Sequence, residues 1–220
     1  MIKVLFEDEY YIAVNKPHGL LSHPSNECRQ VKENLLFDVR DHLGMHVHPV
    51  NRLDRGTSGI MLLAKSREAV PEMQKIWATD KIKKKYLALC HDAIEDPGQF
   101  DFELGNDNKV KQEALTLYTP LEVFTDSTLM DIEIKTGRRH QIRRHFSRRM
   151  HALLGDRKYG KKKWNDEYLE KYQLKRIFLH SYILEFEHPY TGEEIKLYCP
   201  LDEDLTGPLE HIRSANKRCL

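Results

Sequence analysis

The segment NRLDRGTSG (51–59) contains a carboxylate together with residues that could hold it in place. Asp54 lies between Arg52 and Arg55, whose positive charges favour its ionised form. An ionised, oriented aspartate can serve as a nucleophile, a base or an electrostatic stabiliser. The Gly-Thr-Ser-Gly that follows permits a tight turn, so an ordinary Asx-type turn closed by an ion pair fits equally well. The segment alone leaves both interpretations open.

Tyr86 is a second candidate, because it ends the lysine-rich run KIKKKY (81–86) and begins a predicted strand. An aromatic ring beside lysines can stack on an unpaired nucleobase while the lysines contact phosphates. An ordinary strand aromatic would have the same appearance in the sequence.

The basic segment, residues 135–163, indicates the kind of partner. It contains 12 Lys or Arg residues and one acid, Asp156, so it carries +11 while the rest of the chain carries −10. Charge of one sign on a nearly neutral protein favours a face for a polyanion over a merely solvated surface. The histidines in this segment are predicted to contact phosphate or to pack: His140, His145 and His151.

The spacing of three other histidines, His42, His46 and His48, could in principle hold zinc. Gly44 interrupts the predicted helix between the first two, and no cysteine or carboxylate completes a ligand set. The sequence also lacks the glycine-rich motifs that cradle phosphates in nucleotide-binding proteins. We therefore predict neither a metal nor a nucleotide cofactor.

The composition is typical of a globular protein, with 40% hydrophobic and 31% charged residues in 220. The longest apolar runs are too short to span a bilayer, and the N-terminus does not resemble a signal peptide. The four cysteines lie far apart and form no C-x-x-C, which favours reduced thiols. These features predict a cytoplasmic protein with no membrane partner.

The strands predicted around these residues indicate an α+β protein with a largely antiparallel sheet. They lie on both sides of the FEDEY turn, in GIMLLAKS and in KKYLALCHD. Further strands are predicted within residues 113–137, where Pro120 and Asp126-Ser127 are expected to interrupt them. A hairpin is predicted to turn at residues 189–192.

Helical spacing of apolar residues predicts three helices. The first is VKENLLFDVRDHLG, ending at Gly44, and the second is SREAVPEMQKIWATD, capped by Ser66. The third is RRHQIRRHFSRRMHAL, with Ile142, Phe146 and Met150 on one face.

Six motifs occur in the order found in the RluA family of pseudouridine synthases, which the chain resembles over about residues 2–200. They are NKPHG (15–19), RLDRGTSG (52–59), KKKYLAL (83–89), TGRRHQIRRH (136–145), LGDRKYG (154–160) and LHSYILEFEHPYTGE (179–193). The resemblance implies a large mixed, mostly antiparallel sheet with a central catalytic cleft flanked by helices and loops. It also implies one catalytic domain over residues 1–220, without an N-terminal S4 extension. The tail after about residue 200 is left without an assignment.

The resemblance further implies roles for individual residues. Asp54 matches the catalytic aspartate, Tyr86 the tyrosine that stacks against the target base, and Arg143 the arginine that pairs with the aspartate. Arg52 matches the arginine that enters the RNA helix in place of the flipped uridine, and Ile142 the apolar residue that lines the base pocket. The additional substrate-binding residues that we predict are Arg55, Arg139, His140 and Arg144.

Two positions depart from the family pattern. Asn51 stands where most members have His before R-L-D, and an amide can hydrogen-bond but cannot carry charge. Ala152 stands where the family usually has Pro, which is expected to change only the stiffness of the loop. Neither departure removes a residue that the reaction needs.

The function implied by the resemblance is isomerisation of uridine in RNA after base flipping, with no metal or cofactor. In the motif TGRRHQIRRH and in the lack of an S4 extension, the chain is most similar to family members that modify tRNA in the T-stem, next to the acceptor stem. RNA is therefore the predicted partner, with tRNA favoured and ribosomal RNA the alternative, and a monomer is expected.

Two rival functions fit the sequence less well. A non-catalytic RNA-binding protein of the same fold would not need Asp54, Tyr86 and Arg143 together. A metal-dependent nuclease would need clustered carboxylates, and Asp54 has no acidic neighbour within ten residues.

Overall fold

The computed structural model describes residues 2–23, 33–77 and 79–216, which form two compact units. Unit 1 comprises Met1–Lys84 and Ser181–Pro200, and unit 2 comprises Lys85–His180 and Leu201–Leu220. Ten of the twelve strands in these ranges belong to one mostly antiparallel sheet, and the same ranges contain five helices. The predicted α+β class with a mostly antiparallel sheet is confirmed.

The elements follow one another in chain order. They are β1 (Lys3–Glu7), β2 (Tyr11–Lys16), α1 (Leu35–Leu43), β3 (His48–Pro49), β4 (Ser58–Ala64), α2 (Ala69–Trp77), β5 (Ile82–His91), β6 (Gly98–Phe100), β7 (Leu104–Gly105), β8 (Lys111–Gln112), β9 (Thr116–Val123), β10 (Ser127–Ile134), α3 (Gln141–Arg148), α4 (Lys162–Tyr172), β11 (Leu179–Glu187), β12 (Glu194–Tyr198) and α5 (Glu203–Asn216).

The core of unit 1 is built around β4, in which all seven residues are buried. Because both faces of this strand are covered, its sequence is a continuous apolar run without alternation. Strand β2 pairs with β4 and β1 pairs with β2, all antiparallel. Ile60 and Leu62 pack with Tyr11 of β2 and Met73 of α2 in one hydrophobic cluster.

The two helices of unit 1 have the capping residues that their sequences predict. Helix α1 ends at Gly44, whose φ of 65° is the left-handed conformation that glycine adopts readily. Its N-cap is Asn34, and the first two residues of the predicted segment lie outside the described ranges. In α2, the Ser66 hydroxyl accepts a hydrogen bond from the Ala69 backbone N–H at 3.2 Å.

Unit 2 contains an antiparallel ladder of β5, β10, β9 and β6. Pro120 was predicted to interrupt a strand, but β9 continues through it. Met130 lies opposite Pro120 and Leu129 opposite Glu122, so Leu121 is an extra residue in β9. A proline lacks the N–H that a regular ladder requires, and a bulge accommodates it.

Helix α3 is shorter than its apolar pattern predicts. Its last residue is Arg148, and Met150 lies beyond it with a φ of 68° and with 59% of its surface exposed. The predicted apolar face that included Met150 is therefore wrong at this residue. Ile142 and Phe146, which lie within the helix, are buried as predicted.

Two helices of unit 2 were not predicted, and one of them forms the tail. Helix α5 buries Leu205, Leu209 and Ile212 in a cluster that also contains Tyr168 of α4. Arg176, almost fully buried, forms an ion pair with Asp204 at 2.7 Å. The buried side chains of α5 are therefore part of the core of unit 2.

None of the helices in the described ranges combines the length and hydropathy needed to cross a bilayer. Cys90 and Cys199 are buried and do not form a disulfide, and burial raises the pKa of Cys90 to about 12. The other two cysteines lie outside the described ranges.

Candidate active site

The pairing of β2 with β4 brings two of the six motifs together in unit 1. Lys16, the last residue of β2, lies opposite Gly59 near the start of β4. Because the strands are antiparallel, the loop that follows β2 and the loop that precedes β4 leave the sheet at the same end. These loops carry the NKPHG and RLDRGTSG motifs.

Hydrogen bonds join the two loops along their length. The backbone N–H of Gly19 donates to the carbonyl of Arg55, and Arg55 Nε donates to the carbonyl of Gly19, both at 2.8 Å. His18 Nδ1 lies 3.0 Å from the carbonyl of Gly56. Arg55, which we predicted to bind substrate, therefore also holds the backbone beside Asp54.

Lys16 is a buried cation that organises the same loops. Its Nζ donates to the carbonyls of Pro17 and Leu20, each at 2.9 Å, and lies 3.4 Å from the carbonyl of Arg55. A buried ammonium group needs such partners because it has left bulk water. The lysine of NKPHG thus acts as a structural centre for the turn.

Asp54 is half-buried in a segment that is anchored on both sides. On one side the Ser22 hydroxyl donates to the carbonyl of Leu53 at 2.6 Å and accepts from its N–H at 3.2 Å. On the other side the Thr57 N–H donates to the carbonyl of Asp54 at 3.0 Å. The backbone that carries the predicted catalytic carboxylate is therefore fixed by its own unit.

Gly59 explains why the motif ends in glycine. Its φ is +107°, and a Cβ placed on it would lie 2.1 Å from the carbonyl oxygen of Ser181. A side chain at this position would push β4 away from the backbone beside it, so no other residue fits.

Arg52 is exposed and extends from the same segment. Its Nη1 lies 3.3 Å from His23 Nε2. Burial and the charge of Arg52 lower the pKa of His23, so the neutral ring can accept this contact. An exposed arginine beside the predicted catalytic residue is compatible with the predicted insertion into RNA.

Asn51 has a structural contact that accounts for its amide. Its Oδ1 accepts a hydrogen bond from the Leu62 N–H at 2.8 Å, and the neighbouring Val50 N–H donates to the Leu62 carbonyl at 3.0 Å. The side chain therefore extends the backbone pairing of this loop with β4. The contact requires an acceptor and no charge.

In unit 2, Tyr86 lies on β5 opposite Ile132, and its side chain is largely buried. Ile142 lies in the first turn of α3 and is 5% exposed. Both side chains are thus held by packing, as a fixed wall for a base would need to be.

Arg143 of α3 is held in two directions. Its Nε donates to Asp156 Oδ2 at 2.8 Å and its Nη2 to Asp156 Oδ1 at 2.9 Å. The Tyr159 ring lies against the face of the guanidinium group, with its centroid 5.0 Å from Cζ. A side-on pair of this kind fixes the plane of the guanidinium group.

The buried carboxylate of Asp156 is ionised. Burial alone would raise its pKa, but the hydrogen bonds and charge of Arg143 outweigh burial and hold the pKa below its usual range. The backbone N–H groups of Lys158 and Tyr159 also donate to Oδ1, at 2.9 and 3.1 Å.

The other cationic residues predicted to bind substrate also have contacts within unit 2. Arg144 Nη1 donates to the carbonyl of Gly105 at 3.0 Å, and Arg139 forms an ion pair with Asp107. His140 Nδ1 lies 2.8 Å from the Tyr159 hydroxyl. These contacts set the positions of the side chains, and their binding to RNA stays a prediction.

The two remaining histidines of the basic segment contact other residues of unit 2. His145 is buried, with Nδ1 3.0 Å from Thr116 Oγ1 and Nε2 3.1 Å from the Phe102 carbonyl. His151 Nδ1 lies 2.8 Å from Asp92 Oδ2.

A family model described as RNA pseudouridylate synthase matches residues 10–148 of the chain. The tRNA pseudouridine synthase C of Vibrio vulnificus is 34% identical, over 92% of this chain and 92% of that protein. That of Salmonella typhimurium is 33% identical, over 92% of this chain and 86% of that protein. These matches decide the family.

The chain belongs to the RNA pseudouridylate synthases of the RluA type.

Solved structures agree with this assignment. The human protein RNA Pseudouridylate Synthase Domain Containing 4 superposes with a TM-score of 0.77 at 26% identity, covering 96% of this chain and 93% of the human one. A second human structure, RNA Pseudouridylate Synthase Domain Containing 1, shares the fold with a TM-score of 0.74 at 19% identity. The protein is thus an RNA pseudouridine synthase, an isomerase with an RNA substrate.

For this pseudouridine synthase, the structure groups the predicted residues by unit. Arg52, Asp54 and Arg55 share one loop of unit 1. Ile142, Arg143 and Arg144 lie in α3 of unit 2, and Arg139 and His140 come directly before this helix. The pairing of Arg143 with Asp54 stays a prediction. Among the described residues, no group of three or more His, Cys, Asp or Glu side chains is arranged to hold a metal ion.

Several residues of the site were not predicted, namely Lys16, Ser22, Asp156 and Tyr159. For Asp156 a signal was present, since it is the single acid in the basic segment. Lys16 lies in the NKPHG motif, but its contacts with backbone carbonyls, like that of Ser22, could not be inferred from the sequence.

Proposed function

We propose that this pseudouridine synthase acts on tRNA, at a uridine of the T-stem next to the acceptor stem. The observation that carries the proposal is the identity of 33–34% with proteins named tRNA pseudouridine synthase C, over 92% of the chain. The matched length includes both units, so the likeness is not limited to a shared catalytic motif.

The reaction breaks the C1′–N1 bond of the uridine, turns the released uracil and joins its C5 to C1′. The proton on C5 leaves and N1 gains a proton, so the atoms of the nucleoside balance without oxidation or phosphoryl transfer. No step of this sequence requires a redox group or an activated phosphate. One ionised carboxylate is enough to start it.

Asp54 supplies that carboxylate in the proposal. It either attacks C1′ directly, giving an acylal, or removes the 2′ proton, giving a glycal. Its anchored backbone and its half-buried position support this role, because a reacting group has to be held close to one geometry. The two routes share the same carboxylate and differ in the atom it touches.

The target base has to leave its stack before C1′ can be reached, which costs a few kcal/mol. Arg52 fills the space that the base vacates, and the ring of Tyr86 stacks against the flipped base with Ile142 lining the pocket. Arg143 pairs with Asp54 in this proposal. Phosphate contacts come from Arg55, Arg139, His140 and Arg144, within a segment whose charge favours a polyanion.

The proposal is tested with purified protein and RNA from cells that lack it. Carbodiimide mapping should find new pseudouridine in the T-stem of tRNA after incubation and none in the same RNA incubated without protein. New pseudouridine confined to ribosomal RNA would contradict the tRNA assignment. Tight binding without turnover on any bulk RNA would instead indicate an RNA-binding protein that has kept the fold.

A further inference from the structure

Asp156 is the only acid among the 12 cations of the basic segment, yet it is not a surface counter-charge. Its side chain is 1% exposed, and four hydrogen-bond donors surround its two oxygens. Two of these donors belong to Arg143 and two are backbone N–H groups. An ionised group is buried at a high desolvation cost, so this arrangement needs a stronger reason than surface charge balance.

The loop that carries Asp156 is itself rigidly held. Asn165 Nδ2 donates to the Asp156 carbonyl at 2.9 Å, and Asn165 Oδ1 accepts from the Gly155 N–H at 2.8 Å. Gly155 has a φ of +78°, and a Cβ placed on it would lie 2.0 Å from the Arg176 carbonyl oxygen. The carboxylate is thus fixed relative to the core of unit 2, with little freedom to follow Arg143.

The position of Arg143 is therefore determined by Asp156. Asp156 takes its Nε and Nη2, which sets the plane of the guanidinium group, and the Tyr159 ring supports its face. The Tyr159 hydroxyl is in turn tied to His140 Nδ1 at 2.8 Å. A guanidinium group has five N–H donors in a fixed plane, so the side-on pair with Asp156 sets the direction of all of them.

We infer that Asp156, with Tyr159 beside it, is a positioning residue for the isomerisation: it orients Arg143 for the reaction without touching the RNA. This inference rests on the proposed function, in which Arg143 supports the catalytic carboxylate. Side chains that orient a functional group through a second layer of hydrogen bonds have large effects on activity in other sites.

The test is a double-mutant cycle in single-turnover kinetics with a tRNA transcript labelled with tritium at uridine C5. Asp156→Asn should slow tritium release on the order of 10- to 100-fold, the loss that follows when a group is misplaced by up to about 1 Å. The Kd for the transcript should stay within about threefold, because Asp156 does not contact RNA. In an Arg143→Lys background, the same change should cause no further loss.

Asp204→Asn is the control, since it weakens another arginine–aspartate pair of unit 2, in which Arg176 is buried and Asp204 is exposed. It should lower Tm without slowing tritium release by the folded enzyme. A wild-type rate of tritium release by Asp156→Asn would overturn the inference. So would a double mutant whose rate falls by the product of the two single-mutant effects, or a rate for Asp204→Asn as low as that of Asp156→Asn.

A second variant covers the case in which Asp156→Asn does not fold. Tyr159→Leu removes the ring beside Arg143 and leaves the buried carboxylate in place. It should slow tritium release, and this loss should again vanish in the Arg143→Lys background. A wild-type rate for Tyr159→Leu would overturn the inference.

Failure of the proposed function is recognised separately. If the wild-type protein forms no pseudouridine in any RNA, the proposed function is wrong. The position of Arg143 is then read from the NMR signal of its Nε–H, which should exchange slowly in the wild type and rapidly in Asp156→Asn. Rapid exchange in the wild type would overturn the positioning role itself.

Discussion

Asn51 shows how a residue that departs from the family pattern contributes to the site. The amide accepts a hydrogen bond from the Leu62 N–H and continues the pairing of this loop with β4. A neutral histidine ring nitrogen could accept the same bond, so the two residue types can share this structural role. The contact lies three residues before Asp54, where it fixes the approach to the catalytic turn.

Asn51→Ala is expected to reduce the free energy of unfolding by about 1–2 kcal/mol, since it leaves the Leu62 N–H without its partner. Urea denaturation measures the change. Asn108→Ala, at an exposed position in unit 2, should have almost no effect. Equal stability of the two variants would show that the Asn51 hydrogen bond contributes nothing.

At the scale of elements, the start of β4 packs closely against the backbone of Ser181. Gly59→Ala places a Cβ against the Ser181 backbone and should lower the free energy of unfolding by more than about 3 kcal/mol. Gly19→Ala is the matched control, because Gly19 also has a positive φ, +83°, but nothing lies within 4 Å of an added Cβ. It should lose only about 1–2 kcal/mol from backbone strain. Similar losses in both variants would exclude close packing as the reason for Gly59.

The packing of α3 against β9 includes a buried neutral histidine. Burial lowers the pKa of His145 below its ordinary value of 6.5, so the unfolded chain takes up a proton there that the folded chain does not. The free energy of unfolding should therefore fall as the pH drops below about 6.5. Denaturation at pH 7.5 and 5.5 should show a smaller fall for His145→Gln than for the wild type. The same fall in both would mean that His145 does not contribute.

Some elements could be predicted from the sequence and others could not. Alternation located β5 and helical spacing located α1 and α2, because their apolar residues follow the geometry of one buried face. Strands β1, β2 and β4 were located as short apolar segments next to turn residues. Helix α5 was missed because Gly207-Pro208, a pair that usually ends helices, lies inside it. Pro120 was misjudged because a bulge depends on the partner strand, which no local pattern reports.

The residues of the candidate site also fall into those that the sequence predicts and those that it does not. The motifs identify Asp54, Tyr86 and Arg143, whose chemistry requires particular side chains. The contacts of Lys16, Ser22 and Asp156 act on backbone groups or on other side chains, and only the fold brings these partners together.

At the scale of the whole molecule, binding of tRNA should depend steeply on salt, because the basic segment concentrates +11 within residues 135–163. Arg148 and Arg149 are exposed at the end of this segment's helix and beyond it. Replacing both with Gln should weaken binding and reduce the slope of log K against log salt by about 1–2.

The charge-matched control replaces Lys75 and Lys196 of unit 1, each of which forms an exposed ion pair with a glutamate. Filter binding between about 50 and 200 mM salt covers the range in which phosphate contacts are most visible. If the control changes the slope as much as the Arg148 and Arg149 variant, the basic segment is not the RNA face.

The central claim is that Asp54 carries out uridine isomerisation in tRNA. The most direct measurement is tritium release from a tRNA transcript labelled at uridine C5, with wild-type protein and Asp54→Asn in parallel. This substitution replaces the carboxylate with an amide of nearly the same size, so RNA binding should stay almost unchanged. Tritium release should be abolished, because the amide can neither attack C1′ nor remove the 2′ proton. Tritium release by Asp54→Asn at a rate close to that of the wild type would contradict the account.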